Sequence, residues 1–126
     1  LNGEPGIFSA RYAAENASDY QNNLYLLKKM LGIKNRQARF HCCLVYIRSY
    51  EDQEPIVIQA EWNGLICESL SGDHGFGYDP IFYISDLNHT AAELSIEIKN
   101  KYSHRGQANR LLVKRLLDEK LILKNR

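Results

Sequence analysis

The sequence predicts an α/β layer fold, a mixed β-sheet flanked by helices. Three observations carry that expectation. Apolar residues recur at helical spacing near both ends of the chain, the stretch between them alternates with a period of two, and clusters of Gly, Pro and Asn separate the runs.

The opening Leu1-Asn2-Gly3-Glu4-Pro5-Gly6 packs two glycines and a proline into six residues and reads as a loop unable to start a regular element. Ser18 followed by Gln21 has capping-box form, and Leu24, Leu27, Met30 and Leu31 then recur before Gly32, so a helix is expected over 19–31. From Gln37 to Arg48, one strand face carries Ala38, Phe40, Cys42, Leu44 and Tyr46, and the other His41, Cys43, Val45 and Ile47. Two apolar faces predict a central strand covered on both sides. Ile56 to Trp62 reads as a second strand that reaches Asn63-Gly64, a pair favouring a tight hairpin; a glycine bulge in one long strand gives the same pattern. Ser69 to Gly77, with Gly72, Gly75 and Gly77, reads as a flexible loop whose backbone can approach a ligand, and Ile81 to Ile84 as a short strand. Thr90 and Glu93 form a second capping box, expected to open a helix over roughly 91–101. Ser103 caps a last helix whose stripe of Ala108, Leu111, Leu112, Leu116 and Leu121 lies opposite Arg110, Lys114, Asp118 and Lys120.

The 126 residues suit one domain, and a chain that is 44% hydrophobic and 25% charged is neither disordered nor fibrous. Sixteen basic against fifteen acidic residues leave a net charge of +1, so no global field draws the protein to nucleic acid. Asp118 and Glu119 also interrupt the basic face of the last helix. No apolar run approaches the ~20 residues of a membrane helix, and the N-terminus lacks the pattern of a signal peptide. Three cysteines, two of them adjacent at Cys42 and Cys43, do not form a disulfide framework and suit a reducing compartment. A soluble, cytoplasmic protein without nucleic-acid or membrane partners is expected. The single methionine, Met30, and the start on Leu1 lead to the expectation of a remainder of something longer.

The glycine-rich loop lacks the Lys-Ser/Thr of a P-loop and the dinucleotide fingerprint. It does place Phe76 and Tyr78 around Gly77 beside Asp79. These aromatics can stack on a flat base with Asp79 accepting hydrogen bonds, or they can be core residues at a strand entry. In Ser103-His104-Arg105-Gly106, two basic side chains sit at the positive end of a helix, where a ligand acceptor is welcome and a cation is not. Arg and His can read a purine O6/N7 edge, although a solvated Arg and a capping His fit the same pattern. Lys99 reads by default as a surface lysine. His41 with Cys43, Cys67, and Glu93 with Glu97 make only weak metal or nucleophile constellations.

Taken in order, Leu1-Asn2-Gly3-Glu4-Pro5-Gly6-Ile7-Phe8-Ser9-Ala10-Arg11-Tyr12, Arg36-Gln37-Ala38-Arg39-Phe40, Gly75-Phe76-Gly77-Tyr78-Asp79-Pro80-Ile81-Phe82, Ala92-Glu93-Leu94 and Ser103-His104-Arg105-Gly106-Gln107-Ala108 resemble the inosine triphosphate pyrophosphatase family. The resemblance implies a Maf/ITPase-like α/β fold, a homodimer, and magnesium-dependent hydrolysis of deaminated purine nucleoside triphosphates to monophosphate and pyrophosphate. It assigns Phe76, Gly77, Tyr78 and Asp79 to the base and sugar pocket and Lys99 to substrate contact. His104 and Arg105 it assigns to the 6-oxo edge, and Arg11 it places near the phosphates. The family's phosphate loop, metal-binding Glu and Asp-Asp-Ser-Gly motif, which supplies base and metal ligand, fall before Leu1. The resemblance therefore implies no catalytic or metal-ligating residue in this chain, and a fragment that turns over no substrate alone. A noncatalytic purine-binding or dimerisation module is the alternative expectation.

Overall fold

The computed structural model describes residues 1–120, so Leu121 of the expected apolar stripe lies outside the described residues. Helix α1 spans Asp19–Lys29, strand β1 Gln37–Tyr46, β2 Ile56–Ile66, β3 Phe82–Ile84, β4 His89–Thr90, helix α2 Ile96–Tyr102 and α3 His104–Asp118. The strands form one sheet in the order β1-β2-β3-β4. Strand β2 runs antiparallel to β3, pairing Leu65 with Tyr83 and Ile66 with Phe82, and β3 is antiparallel to β4. The chain divides into two compact units. The first comprises Leu1–Arg39 and Asn63–Ile96, the second Phe40–Trp62 and the chain from Glu97 on. No described helix is long and apolar enough to cross a membrane.

In the first unit, Ser18 closes the expected capping box on Gln21, its hydroxyl accepting from the Gln21 N–H at 3.1 Å. The helix stops at Lys29, with Met30 as C-cap. Its buried face matches the expected stripe only at Leu27 and Met30. Leu26 and Met30 pack with Ile66 and Ile81, and Leu27 is partly buried, while Leu24 is 42% and Leu31 77% exposed. Asn22 and Asn23 are buried instead, because each has backbone to bind: the Asn22 amide donates to Ala10 C=O at 2.9 Å and that of Asn23 to Gly77 C=O at 3.1 Å. Residues 1–5 form turn and loop as expected, and a 3-10 helix spans Gly6–Arg11 directly after them.

Strand β1 is an edge strand among the described residues, not a central one. The face of Ala38, Phe40, Cys42, Leu44 and Tyr46 is half-buried, and the face of Arg39, His41, Cys43 and Val45 is exposed. Asn63-Gly64 makes no hairpin turn: β2 runs straight through it, with Ile56, Ala60, Trp62 and Ile66 buried on one face in unbroken period two. Gly64 is required by crowding rather than by a turn, because a Cβ there would lie 2.7 Å from both the Phe82 ring and the Tyr83 carbonyl oxygen. The loop that follows is laced down. Thr90 Oγ1 donates to Ser71 C=O at 2.6 Å and the His74 N–H to Ala92 C=O at 3.0 Å. Gly72, at φ +91°, lets the backbone pass where a Cβ would strike Ala92. Thr90 and Glu93 do form their capping box, and the Thr90 N–H holds the Glu93 carboxyl below its ordinary value. The element it opens is only a 3-10 turn, Ala91–Glu93, because Leu94 is extended and α2 starts afresh at Ile96. Glu93 and Glu97 therefore share no helix face.

Arg36 ties the first unit together. Its Nε donates to Ile66 C=O at 2.7 Å and Nη2 to Cys67 C=O at 2.7 Å, while Nη1 donates to Met30 and Ile33 C=O at 3.0 and 3.2 Å. One guanidinium thus serves the carbonyls that follow α1 and those that end β2. Replacing Arg36 by Ala leaves those partly buried acceptors without their donor and is expected to cost about 3 kcal/mol, with Lys restoring little because it lacks the planar fork. Denaturant unfolding checks this, and a wild-type midpoint for Arg36→Lys would refute the fork requirement.

Candidate functional site

Four of the residues that the motifs single out lie together in the first unit. The loop Phe76–Asp79 is closed on itself by Asp79, whose carboxylate accepts from the Phe76 N–H at 3.1 Å and is 4% exposed. It is clamped from α1: the Gly77 N–H donates to the Asp19 carboxylate at 2.9 Å and its C=O accepts from Asn23. The Tyr78 hydroxyl donates to Ser9 C=O at 2.5 Å, and Tyr78 packs against the Leu26–Met30–Ile66–Ile81 core. Phe76 is left 53% exposed, a large flat ring on a loop held at several points. Of the two sequence readings, Tyr78 follows the core-aromatic one, while the exposure of Phe76 suits a stacking surface. Arg11 ends the 3-10 helix with its guanidinium 5.1 Å from the Phe8 ring centre.

The remaining three lie in the second unit, at the corner between α2 and α3. Ser103 is the N-cap of α3, its hydroxyl accepting from the Gly106 N–H at 3.0 Å, so His104 and Arg105 occupy the first turn as the spacing predicts. Lys99 lies in the last turn of α2, half-buried, with its carbonyl accepting from the Ser103 N–H at 2.8 Å. The other carbonyls ending α2 are served from α3. Arg110 donates to Asn100 C=O at 3.0 Å and to Lys101 C=O at 2.5 Å, and Gln107 to Tyr102 C=O at 2.7 Å. Gly106 seats the corner, since a Cβ there would fall inside the Asn100 carbonyl oxygen. The His104 imidazole stacks on Phe40, ring centres 4.9 Å apart and planes 17° apart. Arg105 is exposed.

Asp19, Asn23, Phe40, Trp62, Gln107 and Arg110 shape these segments, and sequence reasoning did not assign them a role. A partial signal existed for Phe40, which sits in one of the ordered motifs. His41 pairs with Glu61 at 3.7 Å on exposed strand positions, and burial pushes the Cys67 thiol up, which suits packing better than nucleophilic attack. Among the described residues, no group of three or more His, Cys, Asp or Glu side chains is gathered to hold a metal ion.

Two predictions follow from this geometry. Gly106→Ala forces the α2–α3 corner apart and is expected to lower stability by about 3 kcal/mol, measured by thermal or denaturant unfolding; an unchanged melting curve would show the corner to be pliable. Burial, aided by the Asp19 carboxylate, pushes the Tyr78 hydroxyl from 10.0 up to about 12. Its folded value exceeds the unfolded one, so its contribution to stability is complete below pH 10 and is lost as pH rises toward 12. Unfolding midpoints across that range should fall less steeply for Tyr78→Phe than for the wild type, and equal slopes would refute the assignment.

Residues 1–115 match the Ham1 family. A dITP/XTP pyrophosphatase of Photorhabdus laumondii is 55% identical over 115 residues, covering 90% of this chain and 58% of that protein. The dITP/XTP pyrophosphatase of Escherichia coli is 50% identical over the same length and coverage. A HAM1 protein from Coxiella burnetii superposes with a TM-score of 0.90 at 40% identity, over 94% of this chain and 61% of that one. The Staphylococcus aureus Ham1 protein gives 0.89 at 46% identity over the same shares. The chain thus spans about three-fifths of the length of these relatives. With the ordered motifs, the sheet and helices and these matches in agreement, the chain belongs to the Ham1 family.

Proposed function

We propose that this chain carries the base-recognising part of a nucleoside triphosphate pyrophosphatase acting on inosine, deoxyinosine and xanthosine triphosphates, which it removes from the nucleotide pool as monophosphate and pyrophosphate. The observation that carries the reading is the Ser103-capped first turn of α3, which sets His104 and Arg105 at the positive end of a helix. Relatives named dITP/XTP pyrophosphatase at 50–55% identity support it.

The chemistry is one of matched donors. Arg105 and a His104 N–H both donate, and a 6-oxo purine offers O6 and N7 to accept. Adenine turns an amino group toward the same donors, leaving unpaired polar groups on both sides, which discriminates strongly. In this reading Phe76 stacks on the base, Gly77, Tyr78 and Asp79 shape its loop, and Lys99 contacts substrate. Magnesium dependence, a homodimer and a cytoplasmic setting belong to the same proposal. Among the described residues no group of three or more His, Cys, Asp or Glu side chains is gathered to hold that ion.

Calorimetric titration with inosine monophosphate tests the pocket. The wild-type chain is expected to bind it in preference to adenosine monophosphate, and Arg105→Ala to weaken binding about tenfold or more. Unchanged affinity in that variant would remove Arg105 from base recognition. Incubated with deoxyinosine triphosphate and magnesium, the 126 residues are expected to release no pyrophosphate, because the described residues gather no carboxylate cluster to hold the ion, and measured release would overturn that expectation.

A further inference from the structure

In the sequence motif Arg36–Phe40, Arg36 and Ala38 serve the core of the first unit, while the last residue, Phe40, belongs to the second. There, three flat rings meet. Phe40 and His104 are stacked at 4.9 Å, the Trp62 indole lies 6.5 Å from the imidazole with 23° between planes, and Phe40 and Trp62 are 6.2 Å apart at 33°. Trp62 is 5% exposed and Phe40 half-buried, so the surface beneath the imidazole is a wall rather than a loose contact. We propose that Phe40, backed by Trp62, is a positioning residue that fixes the plane of the His104 imidazole and thereby sets selectivity for a 6-oxo over a 6-amino purine. This deepens the proposed function and rests on it.

A histidine N–H donates within the ring plane, so fixing the plane fixes the line along which the donor points. The last torsion of a histidine side chain is broad, and backbone placement alone leaves it open. Here the backbone of His104 is set by the Ser103 cap and by Gly106 against Asn100, and the ring by Phe40 and Trp62. A ring ordered before the ligand arrives loses no freedom on binding, whereas a mobile one must be ordered then, at a loss of several-fold in affinity. The loss falls on ligands that use the donor. Adenine nucleotides, which meet it with an amino group, gain nothing from its orientation, so the ratio between the two ligands is what Phe40 controls.

The test uses Phe40→Leu, which keeps an apolar filler but removes the ring, and Phe40→Tyr, which keeps the ring. Two measurements are made: the ring-proton shifts of His104 by NMR without ligand, and calorimetric affinities for inosine and adenosine monophosphates. In the wild type the His104 ring protons are expected to lie upfield through the ring currents of Phe40 and Trp62. In Phe40→Leu they are expected to move toward ordinary histidine values, and inosine monophosphate affinity to fall about three- to tenfold while adenosine monophosphate affinity changes little. Phe40→Tyr is expected to restore both. If Phe40→Leu fails to fold by circular dichroism, Phe40→Met takes its place. Wild-type His104 shifts at ordinary values overturn the proposal without any variant. Unchanged selectivity in a folded Phe40→Leu or Phe40→Met, with the wild type binding inosine monophosphate, overturns the positioning role alone. A wild-type chain that binds neither nucleotide overturns the proposed function and the positioning role together.

Discussion

The constraint on which the first unit depends is the four-carbonyl grip of Arg36. A helix end and a strand end each leave carbonyls without partners, and both ends fall here in a half-buried place that water serves poorly. One guanidinium answers both. Because its donors form a rigid fork, meeting four acceptors at once fixes where the chain leaves α1 and where β2 stops. The return hydrogen bond, Ile66 N–H to Arg36 C=O at 2.8 Å, places the entrance of β1 beside the exit of β2. Register in a sheet is all-or-none for its faces, since a slip of one residue turns every side chain over. Within the first unit this leaves Ala38, at the start of β1, packed against the Leu26–Met30–Ile66–Ile81 core.

Local signals were legible in the sequence because their physics is local. Ser18 with Gln21, Thr90 with Glu93, and Ser103 all cap as expected, each bonding within three residues. What followed the second cap was not legible. A capping box specifies the first turn and says nothing of the second, and Leu94 leaves the helix at once. Asn63-Gly64 misled for a related reason. A glycine required by a turn and a glycine required by a ring packed overhead are the same letter, and only the unbroken alternation from Ile56 to Ile66 tells them apart. The edge position of β1 depends on strand order, which no window along the chain contains.

The candidate site divides in the same way. Phe76–Asp79, His104 and Arg105 could be named from ordered motifs, and Lys99 only from its spacing before His104 in the family resemblance. The groups that tie the Phe76–Asp79 loop to the rest of its unit could not, because they act across 54 to 69 positions of sequence: Asn23 on Gly77, Asp19 on the same residue, and Ser9 on Tyr78. Asn23 shows the cost of reading helices by hydrophobic spacing alone. It occupies a core position of α1 while its neighbour Leu24, which the apolar pattern names, is exposed, and it does so because a loop carbonyl needs a donor there.

The α2–α3 corner explains why a short motif can carry so much. Every carbonyl from Lys99 to Tyr102 is served by a group of the next few residues: the Ser103 N–H, Gln107, or the two arms of Arg110. Serving them requires α3 to begin hard against the end of α2, which only glycine at 106 permits. The first turn of α3 is thus held by backbone geometry, which sets the Cα–Cβ directions at 104 and 105. Fixing that turn shifts its ordering entropy into the folding equilibrium, where burial of Trp62, Ala108 and Leu116 helps to offset it. In the proposed function, glycine at 106 fixes the frame that the basic pair before it uses.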